Sequence, residues 1–290
     1  MRPLVSVCIP VYNGARFIGR ALDSALAQTY APLELVVLDN ASTDNTVEIV
    51  SRYLGDPRVR LVRNLANIGA ISNFNKAVSE ARGEFIKILC ADDYLRRDCL
   101  EKQAAPFLGG DSARIVMTCS PRSVVGEDEA VWLRRGFAGR EGVVDGREAV
   151  RLSVRAATNL PGESSCVLLR ASALKAAGGF RDKFSLCMDI DCWSRMLVSG
   201  DLYVTAGTLC YYRISPRSWS ISIARLQSSD YLAFIDEVAR DGRFGLTGYD
   251  LGLGRLRARL NGGLRSFFSR VVFLLTAVNR RCYGERNGGR

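Results

Sequence analysis

Apolar runs alternate with amphipathic segments along the first 120 residues. Leu4–Ile9, Leu33–Leu38, Val59–Val62 and Phe85–Leu89 are apolar at nearly consecutive positions, as in strands that are buried on both faces. The segments between them repeat apolar residues at helical spacing, as in Ala70–Ala81. The pattern therefore predicts an α/β fold with a mostly parallel sheet that is flanked by helices on both sides.

Polar residues follow three of these predicted strands. Pro10–Asn13, Asp39–Ala41 and Cys90–Asp93 each begin where an apolar run stops. In open parallel sheets, ligands bind beyond the carboxyl ends of the strands. We therefore expect these three segments to converge on one crevice.

Asp92 and Asp93 are the most informative of these residues. Two adjacent carboxylates at the end of a buried strand are costly unless a cation or hydrogen-bond donors offset them. A divalent cation would do so, and a simple turn, where Asp is common, is the alternative.

The second half of the chain is less regular. Residues 120–162 are rich in Gly, Arg and Glu and are expected to form a variable excursion. A strand at Cys166–Leu169 and a helix from about Asp189 to Ser199 follow. A strand pair is then predicted from Tyr203–Thr205 and Thr208–Arg213, and everything after Ser222 is predicted to be helical.

Composition limits which residue types can act as a catalytic base or as metal ligands. The 290 residues contain no histidine, so a general base near neutral pH has to be a carboxylate or, less often, Lys, Tyr or Cys. The nine cysteines form no Cys-x-x-Cys pair, which indicates buried free thiols in a reducing cytosol and argues against zinc. No signal peptide is recognisable and no apolar stretch is long enough to span a bilayer, so we expect a cytoplasmic protein.

The basic charge is concentrated at one end. Residues 251–290 hold nine arginines and a single acid, Glu285, and so carry +8 of the net charge of +10. Leu251–Val278 mixes these arginines with apolar residues, which fits a basic amphipathic helix on an anionic membrane. A helix packed on the protein core or on a partner is the alternative. Nucleic-acid binding is not expected, because the rest of the chain has almost no basic surplus.

Six motifs follow one another along the chain: Val7–Asn13, Val37–Thr46, Asn67-Ile68-Gly69 with Asn73, Leu89–Asp93, Gly178-Gly179-Phe180 and Met188–Trp193. Through this ordered series, residues 4–220 resemble the family 2 inverting glycosyltransferases of the GT-A fold. This resemblance implies a Rossmann-like, mostly parallel sheet with a helical C-terminal tail. Residues 1–120 would form the nucleotide-sugar-binding half of one domain, 121–220 its acceptor-binding half, and 221–290 a basic helical extension.

The resemblance also implies which residues bind the donor, a nucleotide-diphospho-sugar. Pro10, Val11 and Tyr12 would line the base pocket, although Tyr12 could equally be a core residue. Asp39 would accept a hydrogen bond from the base, with a turn or cap as its alternative, whereas Asn40 replaces an acid that is common in the family. The remaining donor-side positions implied by the motifs are Asn13, Asn67 and Asn73.

Asp92 and Asp93 match the metal-site motif of the family and would hold Mg²⁺ or Mn²⁺ on the donor diphosphate. Cys90 replaces the first acid of that motif, and Ser215 replaces a histidine that often completes the metal shell. Arg213 and Arg217 could supply compensating positive charge to the diphosphate, or could be solvated surface residues.

Asp189 is the candidate general base for the acceptor hydroxyl. It matches the acid of a Glu-Asp motif in which Met188 stands where Glu is usual. Capping of the helix is its structural alternative. Asp191 is the competing catalytic candidate, but it lies four residues before Arg195 on a predicted helix and could simply pair with it.

The predicted activity is inverting transfer of a sugar to a glycan or polyprenyl-linked acceptor in cell-surface polysaccharide synthesis, at the inner face of the membrane. A non-catalytic or partner-dependent nucleotide-sugar-binding protein is the alternative, because of the departures at Cys90, Met188 and Ser215. A Rossmann oxidoreductase is discounted, since the first turn has no Gly-x-Gly-x-x-Gly.

Overall fold

A computed structural model describes residues 2–110, 112–137, 139–215 and 226–262. Its strands are β1 Val5–Val11, β2 Leu33–Asp39, β3 Val59–Arg63, β4 Phe85–Ile88, β5 Tyr94–Leu95, β6 Ile115–Cys119, β7 Arg122–Val125, β8 Val131–Arg135, β9 Gly142–Val144, β10 Val167–Arg170, β11 Asp201–Val204 and β12 Cys210–Arg213. Its α-helices are α1 Ile18–Leu26, α2 Thr46–Ser51, α3 Ala70–Ser79, α4 Cys99–Ala104, α5 Gly146–Ala156, α6 Ala171–Ala176, α7 Met188–Leu197, α8 Gln227–Asp241 and α9 at residues 248–262.

The large sheet has eight strands in the order β3-β2-β1-β4-β10-β6-β11-β9. Strands β3, β2, β1 and β4 are mutually parallel, as the apolar runs predict. Every residue of β1 is buried, because helices cover both faces of the sheet and leave two hydrophobic clusters, one on each side. The predicted α/β architecture is confirmed.

Strand β10 sets the geometry of the site. It lies antiparallel between β4 and β6, so its amino end meets the carboxyl ends of both neighbours at one edge of the sheet. A short 3-10 turn at Ser164–Cys166 leads into β10 at this edge. The turn therefore lies beside the acidic segment that follows β4.

The prediction of a strand pair between residues 203 and 213 is wrong. Strand β11 joins the large sheet between β6 and β9, whereas β12 pairs with β5 and β7 in a second sheet of order β5-β12-β7-β8. Gly207, at φ +73°, lies in the connection. The two strands separate because β12 has its own partners: Tyr211 pairs with Tyr94 and their rings stack at 4.5 Å.

Residues 120–162 are more regular than expected, since they contain β7, β8, β9 and α5. All five residues of β8 are exposed, so this strand has no apolar alternation to reveal it. Helix α5 begins after Asp145, whose Oδ1 accepts hydrogen bonds from the backbone N–H groups of Arg147 and Glu148 at 3.0 and 3.1 Å. It is a capped amphipathic helix that the sequence interpretation missed.

The described C-terminal helices pack on the core. In α9, Ala258 is buried, and Arg255 pairs with Asp236 of α8 at 2.8 Å. Leu256 and Leu260 are more than half exposed. No described helix combines the length and apolarity that crossing a bilayer requires. The part of the predicted basic helix after residue 262 lies outside the described residues. Arg217 also lies outside them.

Candidate active site

Two loops at the carboxyl ends of β1 and β2 are joined by side-chain hydrogen bonds. Asn13, at φ +51°, accepts a hydrogen bond from the Thr43 N–H at 2.8 Å, and its own N–H donates to Ser42 Oγ at 2.9 Å. The Gly14 N–H donates to Thr46 Oγ1 at 2.8 Å. A β-carbon on Gly14 would meet Val11 Cγ2 at 2.5 Å, so glycine is required for this close approach. The loops that would contact a nucleotide are thus preorganised.

The predicted base-pocket residues occupy this edge. Pro10 and Val11 are buried at the end of β1, and Tyr12 is 50% exposed, so the alternative that it is a core residue is wrong. The Asp39 carboxylate is fully buried, and the Ser42 N–H approaches both of its oxygens at 3.3 Å. Arg63 Nε lies 3.8 Å from Asp39 Oδ2. Asp39 therefore makes the turn contact that was its alternative role, while contact with a base stays a prediction.

A network of asparagines lies behind these loops. Asn40 donates through Nδ2 to Asn67 Oδ1 and the Gly69 carbonyl, and its Oδ1 accepts from Asn64 Nδ2 and the Ile68 N–H. These four hydrogen bonds saturate its amide. Asn40 thus organises the loop, and the structure gives no support for its predicted contact with the donor.

The same network includes Asn73 and Lys76. Asn64 donates to Asn73 Oδ1 at 2.9 Å, and Asn73 donates to the Leu38 carbonyl at 3.2 Å. Lys76 Nζ donates to Asn64 Oδ1 at 2.7 Å. Asn73 is buried and acts within the protein, whereas Asn67 is exposed at the crevice. Sequence reasoning missed Asn64, because a single Asn after an apolar run carries little signal.

The paired acids after β4 differ in environment. Asp93 is buried, and its Oδ1 accepts a hydrogen bond from the Arg213 backbone N–H at 2.8 Å. Its Oδ2 is buried and has no hydrogen-bond partner among the described residues. Burial, and then the neighbouring Asp92 carboxylate, raise the pKa of Asp93 well above its ordinary value. Asp92 is half-buried.

These two carboxylates fit a divalent cation. An unsatisfied buried carboxylate oxygen beside a second carboxylate is an all-oxygen donor set, which Mg²⁺ or Mn²⁺ prefers. In the described part of the chain no three His, Cys, Asp or Glu residues cluster as a metal site. Any cation would therefore need oxygens from the donor and from water. Burial raises the pKa of the Cys90 thiol well above its ordinary value, so that thiol is a poor ligand for a hard cation.

Arg213 has a different role from the predicted one. Its Nε donates to the Asp92 carbonyl at 2.9 Å, its Nη1 donates to the carbonyls of Gly126 and Glu127, and its Nη2 pairs with Glu129 at 3.1 Å. The side chain is 2% exposed. Because every guanidinium nitrogen already has a protein acceptor, Arg213 braces the acidic segment, and the predicted contact with the diphosphate gains no support.

Asp189 lies in the first turn of α7, across this edge of the sheet. Its carboxylate is half-buried and accepts a hydrogen bond from the Ser164 hydroxyl. Burial raises the pKa of Asp189 to about 7, and the Ser164 hydrogen bond opposes that rise. A carboxylate with such a pKa can take a proton near neutral pH.

Two consecutive serines connect the candidate base to the acidic segment. Ser164 holds Asp189, and Ser165 Oγ accepts a hydrogen bond from the Cys90 N–H at 2.9 Å. Both serines are in the 3-10 turn that precedes β10. Sequence reasoning found neither, because their partners are distant in the chain.

Asp191 is not placed for catalysis. It is 1% exposed, and its carboxylate pairs with Arg195 at 2.9 Å and with Arg181. The pairing with Arg195 is the alternative that helical spacing suggested. Because two guanidinium groups hold this carboxylate, Asp191 has a structural role, and its competing role as a catalytic base gains no support.

A matched family model decides the class of the protein. The model described as glycosyl transferase family 2 matches residues 6–175, more than half of the chain.

The chain belongs to glycosyl transferase family 2.

Several curated relatives are similar to this chain. A chondroitin synthase of Pasteurella multocida (strain Pm70) is 44% identical over 117 residues, which are 40% of this chain and 12% of that protein. The uncharacterized protein MT1568 of Mycobacterium tuberculosis is 33% identical over 204 residues, 68% of this chain and 63% of that one. The chain thus spans about an eighth of the synthase and under two thirds of the mycobacterial protein.

Solved structures share the fold. Residues 1–349 of TarS from S. aureus, in complex with UDP-GlcNAc, match with a TM-score of 0.62 at 19% identity, over 83% of this chain and 70% of that one. The mannosyltransferase PcManGT from Pyrobaculum calidifontis, in complex with GDP-Man and Mn²⁺, matches with a TM-score of 0.60 at 19% identity, over 97% and 81%. The architecture is therefore that of the GT-A fold.

Proposed function

We propose that this family 2 protein is a glycosyltransferase that moves a sugar, with inversion, from a nucleotide-diphosphate donor to a hydroxyl group of a glycan or polyprenyl-linked acceptor in cell-surface polysaccharide synthesis. The observation that carries the proposal is Asp189, a half-buried carboxylate with a pKa of about 7 at the acidic edge of the sheet. The relatives support the substrate class, since they include chondroitin and hyaluronan synthases of Pasteurella multocida.

The donor occupies the loops after β1 and β2 in this proposal. Tyr12 and the Asn67 side chain are exposed there and can contact a nucleotide. The UDP-GlcNAc complex of TarS and the GDP-Man complex of PcManGT support a nucleotide-sugar donor. Asp92 and Asp93 would hold Mg²⁺ or Mn²⁺, which when bound supplies positive charge that stabilises the departing nucleotide diphosphate.

Asp189 acts on the acceptor. Its carboxylate takes the proton of the acceptor hydroxyl as that oxygen forms a bond to the anomeric carbon, while the bond from this carbon to the diphosphate oxygen breaks. The sugar configuration inverts, and no covalent enzyme intermediate forms. Ser164 orients Asp189 through its hydrogen bond.

Nucleotide binding and transfer test the proposal separately. Thermal shifts with UDP, GDP and dTDP, with and without Mn²⁺, identify the donor base and the metal dependence. Transfer from the matching nucleotide sugars to oligosaccharides is then compared between wild type and Asp189→Asn. We expect the variant to bind the nucleotide and to lose transfer. Transfer at the wild-type rate would remove Asp189 from the mechanism, and binding without any transfer by the wild type would favour a binding protein.

The basic C-terminal segment suggests a location. The arginines of residues 251–290 other than Arg255, which pairs with Asp236, would hold the enzyme on the anionic inner face of the membrane, close to a lipid-linked acceptor. Co-sedimentation with vesicles of anionic or zwitterionic lipid tests this part. Binding to anionic vesicles that salt reverses is expected, and equal binding to both lipids would contradict it.

A further inference from the structure

The turn that joins β7 to β8 contacts the side chain of Arg213, which braces the acidic segment of the candidate site. Residues 126–130 form this turn. Within it, Glu129 Oε1 accepts a hydrogen bond from Arg213 Nη2 at 3.1 Å. Arg213 in turn donates through Nε to the Asp92 carbonyl at 2.9 Å and through its backbone N–H to Asp93 Oδ1 at 2.8 Å. A continuous series of hydrogen bonds therefore joins Glu129 to the two proposed cation ligands.

Glu129 supplies the opposite charge for a buried arginine. The Arg213 side chain is buried, and among the described residues Glu129 is the only carboxylate that pairs with its guanidinium. Partial burial by itself would raise the pKa of Glu129, but hydrogen bonds from Arg20 and Arg213 outweigh it and lower that pKa below its ordinary value. The Glu129 carboxylate is therefore ionised at neutral pH. A neutral side chain at this position would leave the Arg213 guanidinium buried without a paired charge, which is costly.

The backbone of Glu129 supplies a second, independent observation. Its φ is +62°, in the left-handed region that glycine adopts readily and that residues with a β-carbon seldom adopt. Glutamate is therefore strained at this position of the turn. The ion pairs of its carboxylate with Arg20 and Arg213, both at 3.1 Å, offset that strain. The contacts of the side chain, and not the shape of the turn, thus account for a glutamate here.

The two arginines that Glu129 joins also contact the residue next to the proposed cation ligands. Both guanidinium groups lie over the ring of Tyr94, with Arg20 at 4.3 Å and Arg213 at 5.4 Å from the ring centre. Tyr94 directly follows Asp93 in the chain and begins β5. Glu129 therefore connects two cations that pack against the end of the acidic segment.

We infer that Glu129 is a positioning residue for the cation site, and that through Arg213 it holds Asp92 and Asp93 where a divalent cation can bind with the donor diphosphate. The inference rests on the proposed function and adds a residue that is not itself a proposed ligand. Without the Glu129 carboxylate, Arg213 loses its charged acceptor and holds the acidic segment less firmly. Residues that orient metal ligands change metal affinity by about 10- to 100-fold when they are replaced.

Hydrogen–deuterium exchange of the metal-free protein tests the positioning by itself. Glu129→Gln should speed exchange of the backbone amides in residues 90–95 by about fivefold or more, the effect of one lost hydrogen bond. Glu127→Gln is the matched control, because Glu127 lies in the same turn but its side chain pairs with Arg16, at 2.6 Å. Glu129→Gly suits the positive φ and gives a folded variant if Glu129→Gln is unstable. Unchanged exchange in the Glu129 variants, or equal acceleration in Glu127→Gln, would overturn the inference.

Nucleotide titrations with and without Mn²⁺ test the consequence for the cation. The affinities for UDP and GDP are measured by isothermal titration. The gain in nucleotide affinity that Mn²⁺ gives should fall about tenfold or more in both Glu129 variants, and should be that of the wild type in Glu127→Gln. Nucleotide affinity without metal should not change in any of them, which a general loss of structure would not allow. A full Mn²⁺ gain in Glu129→Gln would overturn the inference.

A double variant separates positioning from simple repulsion of the cation. Glu129→Gln/Arg20→Gln keeps the net charge of the wild type but still leaves Arg213 without its carboxylate. Its Mn²⁺ gain should be as small as that of Glu129→Gln, and recovery of the wild-type gain would show that net charge, not position, controls the site.

Failure of the proposed function is distinguishable from failure of this inference. Nucleotide binding by the wild type that does not respond to Mn²⁺ would overturn the proposed cation site and the inference together. Absent sugar transfer with a normal Mn²⁺ response would overturn the proposed transfer alone.

Discussion

The hydroxyl of Ser164 donates a hydrogen bond to the carboxylate of Asp189. The bond favours the ionised form of Asp189, whereas burial favours the protonated form and raises the pKa of Asp189 to about 7. The balance leaves a carboxylate that is more basic than usual and held in one orientation, which is what a general base for a sugar hydroxyl requires.

Replacing Asp189 by Asn should lower the transfer rate by about 10²- to 10⁴-fold, because the acceptor hydroxyl loses its proton acceptor. Nucleotide affinity, measured by titration, should not change. Asp182→Asn is the matched control, since Asp182 is an exposed aspartate a few residues away. A rate loss of similar size in both variants would contradict the assignment.

The pH dependence follows from the raised pKa. The base must be ionised, so kcat/KM should be maximal above pH 7 and fall about tenfold per pH unit below it. In Ser164→Ala the hydrogen bond that favours the charged form is lost, so this acidic limb should move to higher pH. A pH profile of Ser164→Ala identical to that of the wild type would show that Ser164 does not act through Asp189.

Asp189 should also make the stability of the protein depend on pH, in the direction opposite to its effect on the transfer rate. Between about pH 4 and pH 7 the folded protein binds the Asp189 proton more tightly than the unfolded chain does, so this group's contribution to the unfolding free energy falls as pH rises. Asp189→Asn should therefore be more stable than the wild type by roughly 1–3 kcal/mol at pH 8 and close to it at pH 4. Urea unfolding at both pH values measures the difference, and a constant offset would contradict it.

Asp191 should behave as a structural residue. Asp191→Asn leaves Arg181 and Arg195 without their shared carboxylate, at a cost of about 2–4 kcal/mol in unfolding free energy. The folded fraction should keep its transfer rate. Thermal unfolding measures the loss of stability, and active-site titration gives the transfer rate per active molecule. Loss of rate at unchanged stability would restore Asp191 as a catalytic candidate.

Asp92 should couple nucleotide binding to the cation. In Asp92→Asn, added Mn²⁺ should no longer strengthen nucleotide binding, because one of the two proposed carboxylate ligands is gone. Chelation with EDTA should weaken binding in the wild type and have little effect in the variant. Equal sensitivity to EDTA in the two proteins would place the cation elsewhere.

The parallel half of the fold could be predicted because its sequence signal is local. Strands β1, β2 and β4 are apolar runs, and polar motifs follow them. Strand β8 was not, since its five exposed residues carry no apolar pattern. The separation of β11 from β12 depends on pairing with β6 and β5, more than 80 residues away in the chain.

The same distinction applies to the site. Asp92, Asp93 and Asp189 stand in recognisable motifs, but the environments of Asp191 and Arg213 depend on side chains brought together by folding. Asn64, Glu129 and Ser164 carry no motif, so only the structure reveals what they contact.

The continuous sheet has a consequence for building hybrid enzymes. Strand β10 is the neighbour of β4 on the side away from β1, although it follows β4 by some 80 residues and belongs to the half that would recognise acceptors. In a hybrid of two family members joined near residue 120, β4 of one parent would have to pair with β10 of the other. Hybrids should therefore fold more often when β4 and β10 come from the same parent.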